Sequence, residues 1–540
     1  MAHLASSSPY LVVHQLICRF ADGETLFGPL NLSLDRRHCA LVGRNGVGKS
    51  RLLRLLAGRE PPADGHIETR GLVAWVQQQP AVDPGVTLAQ WLGYGEVFAA
   101  LARVACGEMQ TEDIERLEGR WDLAERLQAA LADAGLNGCH AQRAVCELSG
   151  GERMRAALCG AFLSDADFLL LDEPSNHLDA AGRDWLYRQL AQWRGGLLVA
   201  SHDRQLLMRM QRIVELTPDG LHSYSGDYQA FCRQREQERQ AARRALAHAQ
   251  QARKRARARL VKEHDASQRR SAKNLREVDN LNIASFERVK YKGAAKESLG
   301  TLRKQHQQQK SALDGAVHQA QQWVEADNPL LFTLPGSALA AGKQVLALEQ
   351  LRLPFSTLPP LNWRMDGPMR VAVSGPNGCG KTTLLRIIVG QMSPCGGRCR
   401  LLVSAAYLDQ SLSRFDLCLS LMEHLALERM PMAAGELRTR LAQLQLGAER
   451  LTLPLAMLSG GERLKAALAC ALWRERPPQL LVLDEPTNHL DLASLQAIEA
   501  ALRDYPGALL VVSHDEAFLQ GLGLTHRLQW QPQGWLARAL

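Results

Sequence analysis

LSGGERMRAALCGAFLSDADFLLLDEPSNHLD, residues 148–179, returns almost word for word as LSGGERLKAALACALWRERPPQLLVLDEPTNHLD at residues 458–491. In each copy LSGGE opens a helix-like run of Ala, Leu and Arg, and the apolar run that follows, FLLLDE or LLVLDE, ends in two carboxylates. A short apolar run of this kind suits a parallel strand buried on both faces. Acidic residues at its C-terminal end sit where ligands bind in open α/β sheets. The repeat predicts an α/β chain that carries the same domain twice.

Upstream of each copy lies a phosphate-binding loop, GRNGVGKS at 43–50 and GPNGCGKT at 375–382, each reading as strand, Gly-rich turn and helix. Gly43, Gly46 and Gly48, like Gly375, Gly378 and Gly380, let the backbone bend around a phosphate. Arg44, Asn45 and Val47 in one loop, and Pro376, Asn377, Cys379 and Thr383 in or beside the other, complete the cradle. Lys49 and Lys381 reach the outer phosphates, while Ser50 and Thr382 offer a hydroxyl to Mg²⁺. One such loop arises by chance in a small fraction of chains; two in register with two LSGGE blocks do not.

Asp172 and Asp484 are candidates for the Mg²⁺ shell, and the adjacent Glu173 and Glu485 for orienting a water against the γ-phosphate. A second apolar run in each copy leads to His202 or His514, whose spacing from the carboxylates is the same; these are expected to sense that phosphate. Gln78 and Gln410 both fall 29 residues after the loop lysine. Alone, a Gln after a strand is usually just solvated, and only the equal spacing raises the pair to candidate ligands of Mg²⁺ and water.

The copies differ in length. Gln78 to Ser149 spans 71 residues and Gln410 to Ser459 spans 49, which predicts an insertion in the first copy within about residues 88–137. It contains Trp91 and Trp121; solvated core helix is the bland expectation and a partner-docking arm the sharper one. Twelve scattered cysteines without a paired spacing argue for reduced thiols acting as small apolar residues. The sequence has no run of 18 or more apolar residues and no early apolar run free of polar interruption. A membrane span and a secretory leader are therefore not expected, and a cytoplasmic protein is.

The net charge is +8, yet residues 233–310 hold 22 Lys and Arg against 8 Asp and Glu. The middle is strongly basic within a mildly acidic chain, which points to a polyanionic partner there. From Gly226 to Gly293 there is no Gly or Pro, and Ala241, Ala245, Ala249, Ala252, Ala256 and Leu260 trace a thin apolar stripe. A second helix is expected over about 285–325, with Leu299, Leu302, Leu313, Ala316, Ala320 and Trp323 near one face. Together they predict an antiparallel coiled hairpin, its first limb about 35 residues long, or roughly 50 Å. Its tip is placed around SQRRSAKNLREVDNLNIAS. A solvated charged linker is the bland alternative.

Phosphate loop, glutamine, LSGGE, carboxylate pair, NHLD and His, in that order and twice, resemble the ATP-binding-cassette nucleotide domain. The resemblance implies two domains that sandwich two ATPs. Lys49 would work opposite Ser459, Gly460 and Gly461, and Lys381 opposite Ser149, Gly150 and Gly151, within one chain acting as a monomer. With YSGDY leading into the basic middle, the chain is similar to the ABC-F translation factors. That similarity implies an ATP hydrolase that acts on the ribosome, its linker (231–328) between cassettes 1–230 and 329–540 reaching rRNA and P-site tRNA, with hydrolysis driving release. An ATPase subunit of a membrane transporter and a DNA-associated cassette ATPase stay open as alternatives.

Overall fold

The computed structural model describes residues 10–20, 22–78, 83–108, 110–280, 304, 307–308, 310–311, 314–315, 317–318, 335–354, 356, 358–409, 412, 415–427, 432–444, 446–488 and 490–540. Residues 1–230 and 328–540 form one compact unit, which holds both cassettes, and residues 231–327 form another.

Each cassette has two sheets. In the first, β1 (Leu11–Arg19) pairs antiparallel with both β2 (Thr25–Leu34) and β4 (Asp64–Thr69). The main sheet adds β3 (His38–Val42), β5 (Val73–Val76), β6 (Phe168–Asp172), β7 (Gly196–Ala200), β8 (Arg212–Thr217) and β9 (Gly220–Ser225), in the order β5-β6-β7-β3-β8-β9. All its pairs are parallel except β8 with β9. The second cassette repeats the plan. Its antiparallel sheet is β10 (Gln344–Arg352), β11 (Leu361–Asp366) and β13 (Gly396–Leu401). Its main sheet holds β12 (Arg370–Ser374), β14 (Ala405–Leu408), β15 (Leu480–Asp484), β16 (Ala508–Val512), β17 (His526–Gln531) and β18 (Gly534–Ala539), in the order β14-β15-β16-β12-β17-β18.

The strands that are apolar but for a terminal aspartate lie inside the sheet. Every residue of β6, β7, β15 and β16 is buried, as strands covered on both faces must be. In register, Asp172 lies beside Ala200 and Asp484 beside Val512. The carboxylates and the histidines that follow β7 and β16 thus emerge together at the C-terminal edge, next to the loop after β3 or β12. The helix Lys49–Leu56 turns Leu52, Leu53, Leu55 and Leu56 into the core between the two sheets. All twelve cysteines are unpaired, and burial pushes the thiols of Cys39 and Cys159 up to about 11 and about 12.

In the first cassette the region of the extra residues forms helices Gly95–Ala105, Thr111–Leu117 and Leu123–Asp133. Val97, Ala100, Leu117 and Leu123 make a small core of their own there, edged by Tyr94 and Phe98. Trp121 and Ile114 are left exposed.

A helix that starts at Tyr228, at the end of the first unit, runs unbroken through the other to Asn280, 53 residues, or about 80 Å. Asp227 accepts from the Ala230 N–H at its start, and exposed polar pairs one turn apart support it, such as Gln240 with Glu236 at 2.9 Å and Arg259 with Glu263 at 2.8 Å. The first limb is therefore longer than expected, and residues 267–280, assigned to the tip, are helix instead, because nothing in them breaks one. The half-buried seam is Ala242, Leu246, Ala249, Ala252, Ala256 and Leu260, whereas Ala241 and Ala245 are exposed. Leu246 offers far more apolar area than an alanine and takes the covered face. The rest of the tip, and Leu299, Leu302, Leu313, Ala316, Ala320 and Trp323 of the second limb, lie outside the described residues. The described positions of that limb from 304 to 318 are helical, and Asp314 pairs with Arg253 at 3.4 Å.

Candidate functional site

The phosphate loops close on themselves before the helix begins. Gly48 and Gly380 are left-handed, φ 103 and 96, and start the helices that carry Lys49 and Lys381. Lys49 Nζ donates to the carbonyls of Gly43 (2.8 Å) and Arg44 (3.2 Å), and Lys381 Nζ to those of Gly375 (2.8 Å) and Pro376 (3.0 Å). Both lysines are buried, and burial lowers the pKa of Lys49 although Glu173, Asp491 and Asp172 pull it back up. An anion of high charge density is what such a buried ammonium lacks.

Ser50 hydrogen-bonds the Asp172 carboxylate, and Thr382 that of Asp484. Both carboxyls are buried and raised by desolvation. A hydroxyl against a desolvated carboxylate fits Mg²⁺, a hard cation bound by oxygen. The copies differ here: the Tyr407 hydroxyl donates to Asp484 at 3.2 Å, while Trp75 occupies that place in the first cassette.

Glu173 and Glu485 adopt positive φ, 48 and 51, each held by its N–H on the neighbouring strand's last carbonyl, Ala200 or Val512. Burial pushes Glu173 up to about 8 and Glu485 up to about 7. His202 Nε2 lies 3.4 Å from Glu173 and His514 Nε2 3.3 Å from Glu485. Desolvation holds His202 well below its ordinary pKa and lowers His514 to about 4. At neutral pH each pair is a neutral imidazole against a carboxyl group poised to ionise.

The signature serine is a helix cap. Ser149 Oγ accepts from Glu152 N and Ser149 N donates to Glu152 Oε2 (2.8 Å); Ser459 and Glu462 repeat the box. The following Gly150, Gly151, Gly460 and Gly461 begin the helices, where free N–H groups favour an anion. A Cβ on Gly151 would come within 2.7 Å of the His177 carbonyl, so only glycine lets the signature sit this close to the NHLD turn.

The two cassettes meet reciprocally. Asp491 caps its own helix through Ser494 N (2.8 Å) and accepts from Asn45 N of the opposite phosphate loop at 3.0 Å. Asp179 caps through Gly182 N (3.0 Å) and accepts from Asn377 N at 3.2 Å, while Asn377 Nδ2 donates to the His177 carbonyl (3.0 Å). A cavity of about 900 Å³ opens between the cassettes. Lys49, Ser50, Gln78, Asp172, Glu173 and His202 face Ser459, Gly460 and Glu462 across it. Gln410 lies outside the described residues. The sequence reading did not single out Asp179 and Asp491; NHLD recurs at the spacing of the carboxylates, which was a signal, but their double duty needs the opposite cassette to be seen. Arg183, whose guanidinium reaches the His514 carbonyl at 3.3 Å, had no repeat to mark it.

Fold and site define a tandem-cassette ATPase in one chain. The ABC transporter family model matches residues 28–176 and 358–488. The energy-dependent translational throttle protein EttA of Mycobacterium tuberculosis (strain ATCC 25618 / H37Rv) is 31% identical over 525 residues, covering 91% of this chain and 86% of that protein. ATP-binding cassette sub-family F member 3 of Mus musculus is 29% identical over 527 residues, covering 93% and 68%. A solved complex of the archaeal ribosomal stalk protein aP1 with the archaeal ribosome recycling factor aABCE1 superposes with a TM-score of 0.54 at 18% identity, over 97% of this chain and 89% of that one; it supports the fold. The chain belongs to the ATP-binding-cassette family, within its sub-family F. No helix among the described residues is long and apolar enough to cross a membrane.

Proposed function

We propose that this ATPase closes on two ATPs and acts on the ribosome as a translation factor, with the basic segment 231–328 contacting rRNA and P-site tRNA and hydrolysis driving release. The observation that carries the reading is a strongly basic helical segment between two cassettes, in a chain related throughout to a protein named as a translational throttle. Such a charge distribution suits a polyphosphate partner and has no task in an ATPase subunit that only docks on a membrane protein.

Each ATP lies between one cassette's phosphate loop and the other's signature. In the first site Lys49 and the loop amides hold the phosphates and Ser459, Gly460 and Gly461 complete the enclosure; in the second Lys381 faces Ser149, Gly150 and Gly151. Ser50 with Asp172, and Thr382 with Asp484, hold Mg²⁺, which when bound neutralises phosphate charge. Glu173 and Glu485 orient the attacking water and take its proton, and neutral His202 and His514 donate toward the γ-phosphate. Gln78, and Gln410 by the repeat, reach the same water. Asp179 and Asp491 hold the opposite loop and so report whether the cassettes are closed.

ATP then acts as the ligand that shifts the chain to the closed state, and hydrolysis is the exit. The test is the Glu173→Gln, Glu485→Gln double variant, which keeps the shape but removes the ionisable acceptors. On gradients it should cosediment with ribosomes only when ATP is present, and it should inhibit cell-free translation. Recovery in the light fractions with and without ATP, and translation unaffected, would overturn the ribosomal reading and leave the ATPase standing.

A further inference from the structure

From the carboxylate pair to the histidine loop the two copies align without gaps, so a functional side chain without a matching counterpart stands out there. Arg183, four residues after Asp179, corresponds to Leu495, four residues after Asp491. Arg183 is largely buried, and its guanidinium has three neighbours. Nε donates to the Leu178 carbonyl of its own cassette at 3.3 Å, and Nη1 lies 3.6 Å from Asp203, the residue after His202. Nη1 also donates to the carbonyl of His514, in the other cassette, at 3.3 Å. Asp203 is held in turn by the Tyr187 hydroxyl at 2.5 Å, and it caps Gln205 and Leu206.

The matching positions in the second cassette cannot build this relay. Leu495 has no donor, Glu499 stands in place of Tyr187, and Glu516 stands in place of Arg204. Glu499 instead forms an ion pair with Arg204 across the interface at 2.9 Å, and Glu516 pairs with Arg527 of its own cassette at 2.8 Å. The guanidiniums of Arg183 and Arg204 thus both reach from the first cassette onto the second, Arg183 from the helix Ala180–Gln192 to the His514 carbonyl and Arg204 from the His202 loop to the helix Leu492–Arg503.

From this one-sided geometry we infer that Arg183 is a positioning residue for the site of Lys381, Glu485 and His514. It fixes the backbone of His514 from the opposite cassette and ties it to the His202 loop, so the two ATP sites turn over unequally. An imidazole beside a carboxyl at 3.3 Å is useful only if its backbone is held, and a guanidinium on the histidine's own carbonyl holds it. Site one has a leucine at this place and lacks that restraint. The inference rests on the assignment of Glu485 and His514 to one of two composite ATP sites.

Single-turnover phosphate release, with both sites loaded with Mg-ATP, tests it on the full chain. Arg183→Leu, the residue the repeat tolerates, and Arg183→Met, which keeps the aliphatic stem, should slow one of the two phosphates by about tenfold and leave the other within about twofold. ATP affinity and melting temperature should match the wild type. Arg183→Lys, with a donor that still reaches the carbonyl, should restore most of the rate. The slowed phosphate should remain in a Glu173→Gln background and vanish in a Glu485→Gln background. Equal slowing of both phosphates, with or without a lowered melting temperature, overturns the inference, and so does no slowing. Glu485→Gln alone tests the underlying assignment separately: if both phosphates still leave at the wild-type rate, the two-site reading fails whatever Arg183 does.

Discussion

Glu173 and Glu485 sit in left-handed backbone, which costs a non-glycine residue on the order of 1–3 kcal/mol and persists only where the surroundings impose it. Both cassettes retain it, and it turns the carboxyl toward the histidine after the neighbouring strand. With burial holding these groups at about 8 and about 7, much of the nucleotide-free chain carries them protonated at neutral pH. A base acts only once ionised, so kcat/KM should rise as pH climbs through about 7 to 8, and the residual activity of the double Gln variant should lose that limb; a wild-type profile flat over this range would remove the glutamates as bases. The stability sign is the opposite one. A carboxyl whose pKa is raised on folding keeps its proton in the folded chain while the unfolded chain has lost it, so stability from these two groups declines as pH rises from about 4.5 to about 8. The nucleotide-free melting temperature should accordingly fall less between pH 6.5 and 8 in the double Gln variant than in the wild type. At this scale the sequence pointed to residues whose hydrogen-bond and ion-pair partners lie within their own cassette, as those of Lys49, Asp172 and His202 do. Asp179, Asp491 and Arg183 work across the interface, and no local pattern announces a partner hundreds of residues away.

The signature is legible as an element for a physical reason: Ser and Glu three residues apart form a capping box, and the two glycines between them keep the helix start open. Ser149→Ala should lose roughly 1 kcal/mol of stability together with ATP affinity at the Lys381 site. Ser149→Asp keeps a capping acceptor but sets a negative charge against the phosphate, so it should recover the melting temperature and not the affinity. Thermal melts beside equilibrium nucleotide binding separate the two, and parallel recovery of both would make the serine a cap and nothing more. The first cassette's extra segment was locatable from spacing alone, but its own core of Val97, Ala100, Leu117 and Leu123 was not, because four apolar residues spread over three short helices set up no period long enough to detect. A segment that packs mainly on itself can be removed with little effect on the sheets beneath. Deleting Gly95–Leu117 should spare basal ATPase and weaken sedimentation with ribosomes, and equal loss of both would return the segment to the ATPase core. The basic helix shows the limit of counting alanines: period alone fits Ala241 and Ala245 nearly as well as Ala242 and Leu246, and the larger side chain settles which face is covered.

For the molecule as a whole, charge is partitioned by function. The sheets that bury Lys49, Lys381 and four carboxylates balance nearly all of their own charge, whereas residues 233–310 carry an excess of 14 positive charges on a segment in which the described residues are helical and the described Arg and Lys side chains largely exposed. Helix packing does not need that excess; like charges this close repel one another, and the repulsion is relieved only when a polyanion displaces the counterions. If 6 to 10 of these side chains meet phosphates, affinity for ribosomes should fall by about 10³ to 10⁵ between 50 and 200 mM salt on the scale set by duplex DNA, and by less where the RNA is single-stranded. Replacing Arg253, Lys254, Arg255, Arg257 and Arg259 by Gln keeps the helix, since Gln propagates one nearly as well as Arg, and takes away five charges. The salt slope of ribosome binding should become shallower by about 0.7 to 0.9 for each phosphate that is no longer neutralised, while ATPase measured without ribosomes stays as it was. A slope that does not change would place the nucleic-acid interface on the cassettes, and the length of the basic helix would then need another explanation.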